Sequence, residues 1–125
     1  MDKKDIKKLQ QIFKKYPKVK LVYFFGSRNR GSFNKESDYD FAAYIKEEDN
    51  IEMFDLRLKL MDEISKILKN DNIEVVILND LDNPTLKFEI IKEGSLIYSV
   101  EPYKITLEPQ ILNEYTDFIL TFRRN

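Results

Sequence analysis

The sequence predicts an α/β (α+β) domain, a small mixed sheet of about four strands with flanking helices. Three observations predict it. Four short, β-rich apolar runs alternate with segments whose apolar residues recur at helical spacing. Gly, Pro and Asn clusters separate one element from the next. At 125 residues the chain suits one domain with a modest core, and no repeat or second core is visible.

The elements follow in order. Asp2 to Tyr16 reads as an amphipathic helix, with Ile6, Leu9, Ile12, Phe13 and Tyr16 on one face and lysines opposite. Pro17 stops it. Val19 to Phe25 is a strand broken by Gly26. Ser27 to Arg30 reads as a helical turn with Ser27 near its N-cap, and residues 31–36 as a loop. Ser37 to Ile45 is the second strand, with Asp38, Asp40, Ala42 and Tyr44 on one face. A helix from Ile51 to Leu68 follows, capped by Asp49 or Asn50, its stripe formed by Phe54, Leu58, Met61, Ile64, Ile67 and Leu68. Ile73 to Leu78, almost continuously apolar, is expected to be a central strand. Asn83 and Pro84 open a helix that Gly94 closes. Ser95 to Val100 is the last strand. Glu101 to Glu108, bounded by Pro102 and Pro109, reads as an extended linker, and Gln110 to Arg123 as a final helix. The domain is expected over 1–100, with linker and helix over 101–125 packing on it or docking a partner.

Composition removes whole classes of chemistry. There is no cysteine and no histidine, which excludes thiolate and Ser-His-Asp catalysis and the common zinc sites. Acid–base and metal chemistry must come from Asp and Glu, whose oxygen ligands favour magnesium or manganese. The net charge of −1 argues against a chain built to grip a nucleic-acid backbone. The N-terminus MDKKDIKKLQ lacks the apolar core of a signal peptide, and no run reaches membrane-spanning length, so the expected location is the cytoplasm.

The stretch from Tyr23 to Ile45 concentrates the candidate chemistry. A strand ends at Gly26-Ser27, a turn whose N–H groups can face phosphate. Arg28 and Arg30 follow, suited to phosphate oxygens and equally to an ordinary surface. Asp38 and Asp40 come next, two like charges that call for a cation between them. Farther on, Glu74 interrupts the apolar run IEVVIL, a placement that calls for a partner, a metal or a wet strand edge.

Gly26-Ser27, ten intervening residues and Asp38-Tyr39-Asp40 resemble the signature of the DNA polymerase beta-type nucleotidyltransferase superfamily. The spellings GSRNRG and SDYDF, with the later IEVVILNDLDNPTLKFEIIKEGSLIY, resemble its smallest branch, the minimal nucleotidyltransferases, over about residues 5–100. The resemblance implies the polymerase beta-like fold. It implies that Asp38, Asp40 and Glu74 are metal-binding and catalytic, with two Mg²⁺ ions and ATP as donor. It implies that Gly26, Ser27, Arg28 and Arg30 face the nucleotide phosphates. The family it resembles more often has Asp where this chain has Glu74, one methylene longer.

The resemblance also implies a partner. Minimal nucleotidyltransferases pair with a HEPN-domain ribonuclease toxin in a hetero-oligomer. They act as type VII antitoxins by transferring AMP to a tyrosine hydroxyl of the toxin. Two alternatives stand beside this expectation: a catalytically weak, binding-only antitoxin, and a small-molecule adenylyltransferase. Stable nucleic-acid binding and membrane association are not expected.

Overall fold

The computed structural model describes residues 1–34 and 37–124. The elements are α1 (Lys3–Lys14), β1 (Val19–Phe25), α2 (Ser27–Arg30), β2 (Tyr39–Ile45), α3 (Asn50–Leu68), β3 (Ile73–Ile77), α4 (Pro84–Glu93), β4 (Ser95–Ser99) and α5 (Tyr103–Arg124). A single 3₁₀ turn, Leu78–Asp80, follows β3. The sheet order is β3-β2-β1-β4. β1 runs antiparallel to β2 and β4, and β3 is parallel to β2, so the sheet is mixed.

Side-chain alternation divides the core between the two faces of the sheet. On one face, Leu9, Ile12 and Phe13 of α1 and Met53, Leu56, Leu60 and Ile64 of α3 pack against Val22, Phe41, Val75 and Ile97 of the strands. On the other, Ile90 of α4 and Ile111 of α5 cover Leu21, Tyr23, Ala42 and Leu78. Each fully buried Leu, Ile or Phe contributes roughly 1.5–3 kcal/mol. The helix starts are set locally: Asp2, Asp49 and Asn83 each accept backbone N–H groups of the first turn. Asn79 does the work of a strand residue just past β3, accepting from Ile45 N (3.1 Å) and donating to Ile45 O (2.8 Å).

Four expectations change. β3 is an edge strand, not a central one. Its apolar content reflects Ile73, Val75 and Ile77 facing α3, while Glu74 and Val76 point to the other face. Of the expected stripe of α3, Ile64 is buried and Met61, Ile67 and Leu68 pack half-buried on the same core, joined by Met53, Leu56 and Leu60, while Phe54 and Leu58 stand 56% and 45% exposed. This helix carries more apolar residues than one face can hold, so two phases were open, and contact with α1 and β3 selects one. Residues 103–108 are not an extended linker but the first turns of α5, which passes through Pro109. Pro109 is exposed, which leaves room for its ring, and the flanking turns are held by packing. Strand β2 starts at Tyr39, so Asp38 lies just before it. The expected loop over 31–36 is described as far as Asn34; Lys35 and Glu36 lie outside the described residues. No helix among the described residues is long and apolar enough to cross a membrane.

The tie between α5 and the sheet is polar as well as apolar. Tyr23, 1% exposed, donates its hydroxyl to Glu108 Oε2 at 2.6 Å. Burial, then this carboxylate acceptor, hold the phenol protonated far above its ordinary range. Tyr23→Phe is expected to cost about 1.5–3 kcal/mol in urea denaturation, the worth of a hydrogen bond to a charged acceptor. Amide exchange should quicken in α5 before it does in α1.

Candidate active site

The site is assembled where β1 ends and β2 and β3 begin, side by side. Phe25 pairs with Asp40, and Asp40 pairs in parallel with Glu74. Asp40 and Glu74 therefore project from neighbouring strands onto the same face, the one that α4 and α5 cover only in part. Asp38, exposed, precedes the strand on the approach to this face.

Gly26 makes the assembly possible. Its φ is +84°, a region L side chains rarely adopt, and it leads directly into α2. A Cβ at this position would lie 2.3 Å from Asp40 Oδ2. The turn and the carboxylate are thus in direct contact, and only a glycine permits the approach. Ser27, half-buried, is the first residue of α2. Asn29 fixes that short helix, donating to Glu93 O (3.1 Å) and accepting from Ser95 Oγ (2.7 Å).

The two arginines separate. Arg30, exposed, lies near enough for its charge to offset part of the acids' effect on Asp40. Arg28 turns toward the loop before β2. Its Nε donates to Ser37 O (2.9 Å) and its guanidinium lies 4.0 Å from the centre of the Tyr39 ring. It so braces the residues on either side of Asp38.

The electrostatics are those of a site short of positive charge. The Asp40 carboxyl is pushed above its ordinary range, first by burial, then by Asp38 and Glu74, with Arg30 opposing. Glu74 has found a cation: Arg57 of α3 donates from Nη2 to Glu74 Oε1 at 2.6 Å and from Nε to Val75 O at 2.5 Å. Among the described residues no three acids converge closely enough to hold one ion unaided. The donors nonetheless fit a hard divalent cation. Magnesium commonly takes one or two carboxylates and fills its shell with water and substrate phosphate. Asp38 and Asp40 suit that role, and Glu74, engaged by Arg57, stands aside from it in this arrangement. Sequence reasoning missed Arg57. Its one signal is an arginine set among the apolar residues of α3, which no spacing rule links to Glu74.

Comparison with known proteins bears on the family and the fold. Residues 7–103 match the family model described as Polymerase beta, Nucleotidyltransferase. The chain belongs to this family. A curated relative, Protein adenylyltransferase MntA of Aphanizomenon flos-aquae (strain 2012/KM1/D3), is 32% identical over 95 residues. That match spans 70% of this chain and 62% of the relative's length. Among solved structures, a toxin–antitoxin with AMP-PNP superposes with a TM-score of 0.75 at 21% identity, covering 99% of this chain and 94% of that one. The toxin–antitoxin MntA–HepT gives 0.73 at 18% identity, covering 98% and 94%. The fold is that of the polymerase beta-like nucleotidyltransferases, as the resemblance implied.

Two outcomes are expected. Gly26→Ala should destabilise the protein by about 1–3 kcal/mol, from the left-handed backbone and the contact with Asp40. In an Asp40→Ala background, urea denaturation should show a smaller cost, since the steric part is gone. The second concerns charge. An ionised carboxylate whose folded pKa is raised opposes folding, so stability falls as pH rises from the ordinary carboxylate value through the folded one. With metal chelated at pH 7, Asp40→Asn should raise Tm by roughly 1–4 °C. That gain should vanish at acid pH, where Asp40 is itself protonated.

Proposed function

We propose that this chain is a Mg²⁺-dependent nucleotidyltransferase that moves AMP from ATP to a tyrosine hydroxyl of a cognate HEPN ribonuclease toxin, and so serves as a type VII antitoxin. The observation that carries the reading is the contact between the Gly26 turn and Asp40, with Glu74 in register beside it. It joins a phosphate-approach turn to a pair of metal-suited acids in a member of a nucleotidyltransferase family. The adenylyltransferase name of the curated relative and the toxin–antitoxin assemblies of the solved structures support the choice of donor and acceptor.

Each residue has a part in this reading. Gly26 lets the backbone approach the phosphates, and Ser27 adds an N–H and a hydroxyl. Arg30 supplies positive charge at the mouth of the site, while Arg28 acts through the loop that carries Asp38. Asp38 and Asp40 would hold the first of two Mg²⁺ ions, with Glu74 at the second. When bound, the metal neutralises triphosphate charge and lowers the pKa of the attacking hydroxyl. The tyrosine oxygen bonds to the α-phosphorus, the α–β bridging P–O bond breaks, pyrophosphate leaves, and the hydroxyl proton passes to Glu74. The partial cover on the sheet face leaves the acids open to a macromolecular acceptor.

The ion pair between Glu74 and Arg57 favours one second reading, a binding-only antitoxin whose third acid is withheld from catalysis. Intact-mass spectrometry of the toxin after incubation with this chain, ATP and Mg²⁺ separates the two. Transfer adds whole AMP units to the toxin, and Asp38→Asn/Asp40→Asn lowers the rate at least 10²-fold, as loss of a metal-centred transition state demands. Complex formation without mass gain supports the binding-only antitoxin.

A further inference from the structure

We propose that Arg57 is a positioning residue for Glu74, reaching round the free edge of the sheet to set where the third acid stands and how strongly the site attracts a divalent cation. The inference rests on the metal-dependent nucleotidyltransferase reading and deepens it.

The geometry is specific. Arg57 belongs to α3, which packs on the face of the sheet opposite to Asp40 and Glu74. β3 is the edge strand, so one row of its backbone groups has no neighbouring strand. Arg57 fills part of that row, its Nε donating to Val75 O (2.5 Å), while Nη2 of the same planar group continues to Glu74 Oε1 (2.6 Å). A guanidinium anchored on backbone cannot follow the carboxylate wherever it goes. It therefore fixes an aim for Glu74, an acid long enough to swing.

The exposure of the pair shows that this hold can be released. Arg57 and Glu74 side chains are 27% and 42% exposed, so water shares the interaction and the pair is not a buried lock. Glu74 can leave the guanidinium when a stronger cation is offered beside Asp40. The positive charge also acts at a distance, because it offsets one of three carboxylates in a site whose acid Asp40 is already crowded by like charge. A lysine could supply that charge but not the fork that holds Val75 O and Glu74 together.

The test is Mn²⁺ binding to the full chain with a non-hydrolysable ATP analogue, read by electron paramagnetic resonance, alongside thermal melts and AMP transfer. Arg57→Gln is expected to bind Mn²⁺ ~3–10-fold more tightly, since a competing cation is gone, yet to transfer AMP more slowly, since Glu74 has lost its aim. Arg57→Lys should keep Mn²⁺ affinity near that of the parent and still slow transfer. In a Glu74→Gln background, Arg57→Gln should change transfer little, because the two act as a unit. Unchanged Mn²⁺ affinity in a folded Arg57→Gln protein, or an equal loss of transfer with and without Glu74, overturns this inference alone. No Mn²⁺ binding by the parent chain overturns the metal-dependent reading, and the inference with it.

Discussion

The site depends on one close approach: the carboxylate of Asp40 lies against the α-carbon of Gly26, where any side chain would intrude. Everything nearby is consistent with keeping that contact. β1 and β2 pair so that Phe25 sits across from Asp40, which puts the strand exit and the acid at one level. The left-handed backbone at Gly26 then turns the chain sharply into α2. Asn29 pins α2 to the junction of α4 and β4, and Arg28 braces the backbone on both sides of Asp38. A turn suited to phosphate and an acid suited to metal are thereby held against each other, an arrangement of the kind that charge-stabilising catalysis uses.

The same region is electrostatically unfinished. Asp40 sits partly buried between two other acids, with Arg30 only a partial answer. A fold assembled for stability alone would not place carboxylates on adjacent strands in register. The cost is contained because Arg57 takes up Glu74 at the sheet edge, and because helices α4 and α5 bury the adjoining β1 surface instead of the acids. Core and site thus divide the sheet face between them: apolar cover toward β1, open charge toward β2 and β3.

Much of this was legible in the sequence, and the parts that were not share a cause. The alternation of elements, the caps at Asp49 and Asn83, the break at Gly26 and the pairing of a Gly-Ser turn with two acids are written in residues close together in the chain. What local pattern cannot carry is choice between neighbours. α3 offered two apolar stripes, and only packing against α1 and β3 decides that Leu60 goes in and Phe54 stays out. β3 looks central because it is apolar, yet it is an edge strand covered from one side by α3. Pro102 and Pro109 suggested a linker, but tertiary contacts through Glu108 and Ile111 hold the helix together across Pro109. Arg57 left no mark because its partner is reached around a strand edge, through folding rather than spacing.

In the proposed function, Asp38 and Asp40, beside the Gly26 turn, are where a metal-bound nucleotide docks. The most direct measurement is a crystal structure of the chain with Mn²⁺ and a non-hydrolysable ATP analogue, using anomalous scattering to locate the ion. An anomalous peak is expected in contact with the Asp38 and Asp40 carboxylates, with the analogue's phosphates against Gly26 and Ser27. A nucleotide bound elsewhere, or an ion that ignores both acids, would contradict it.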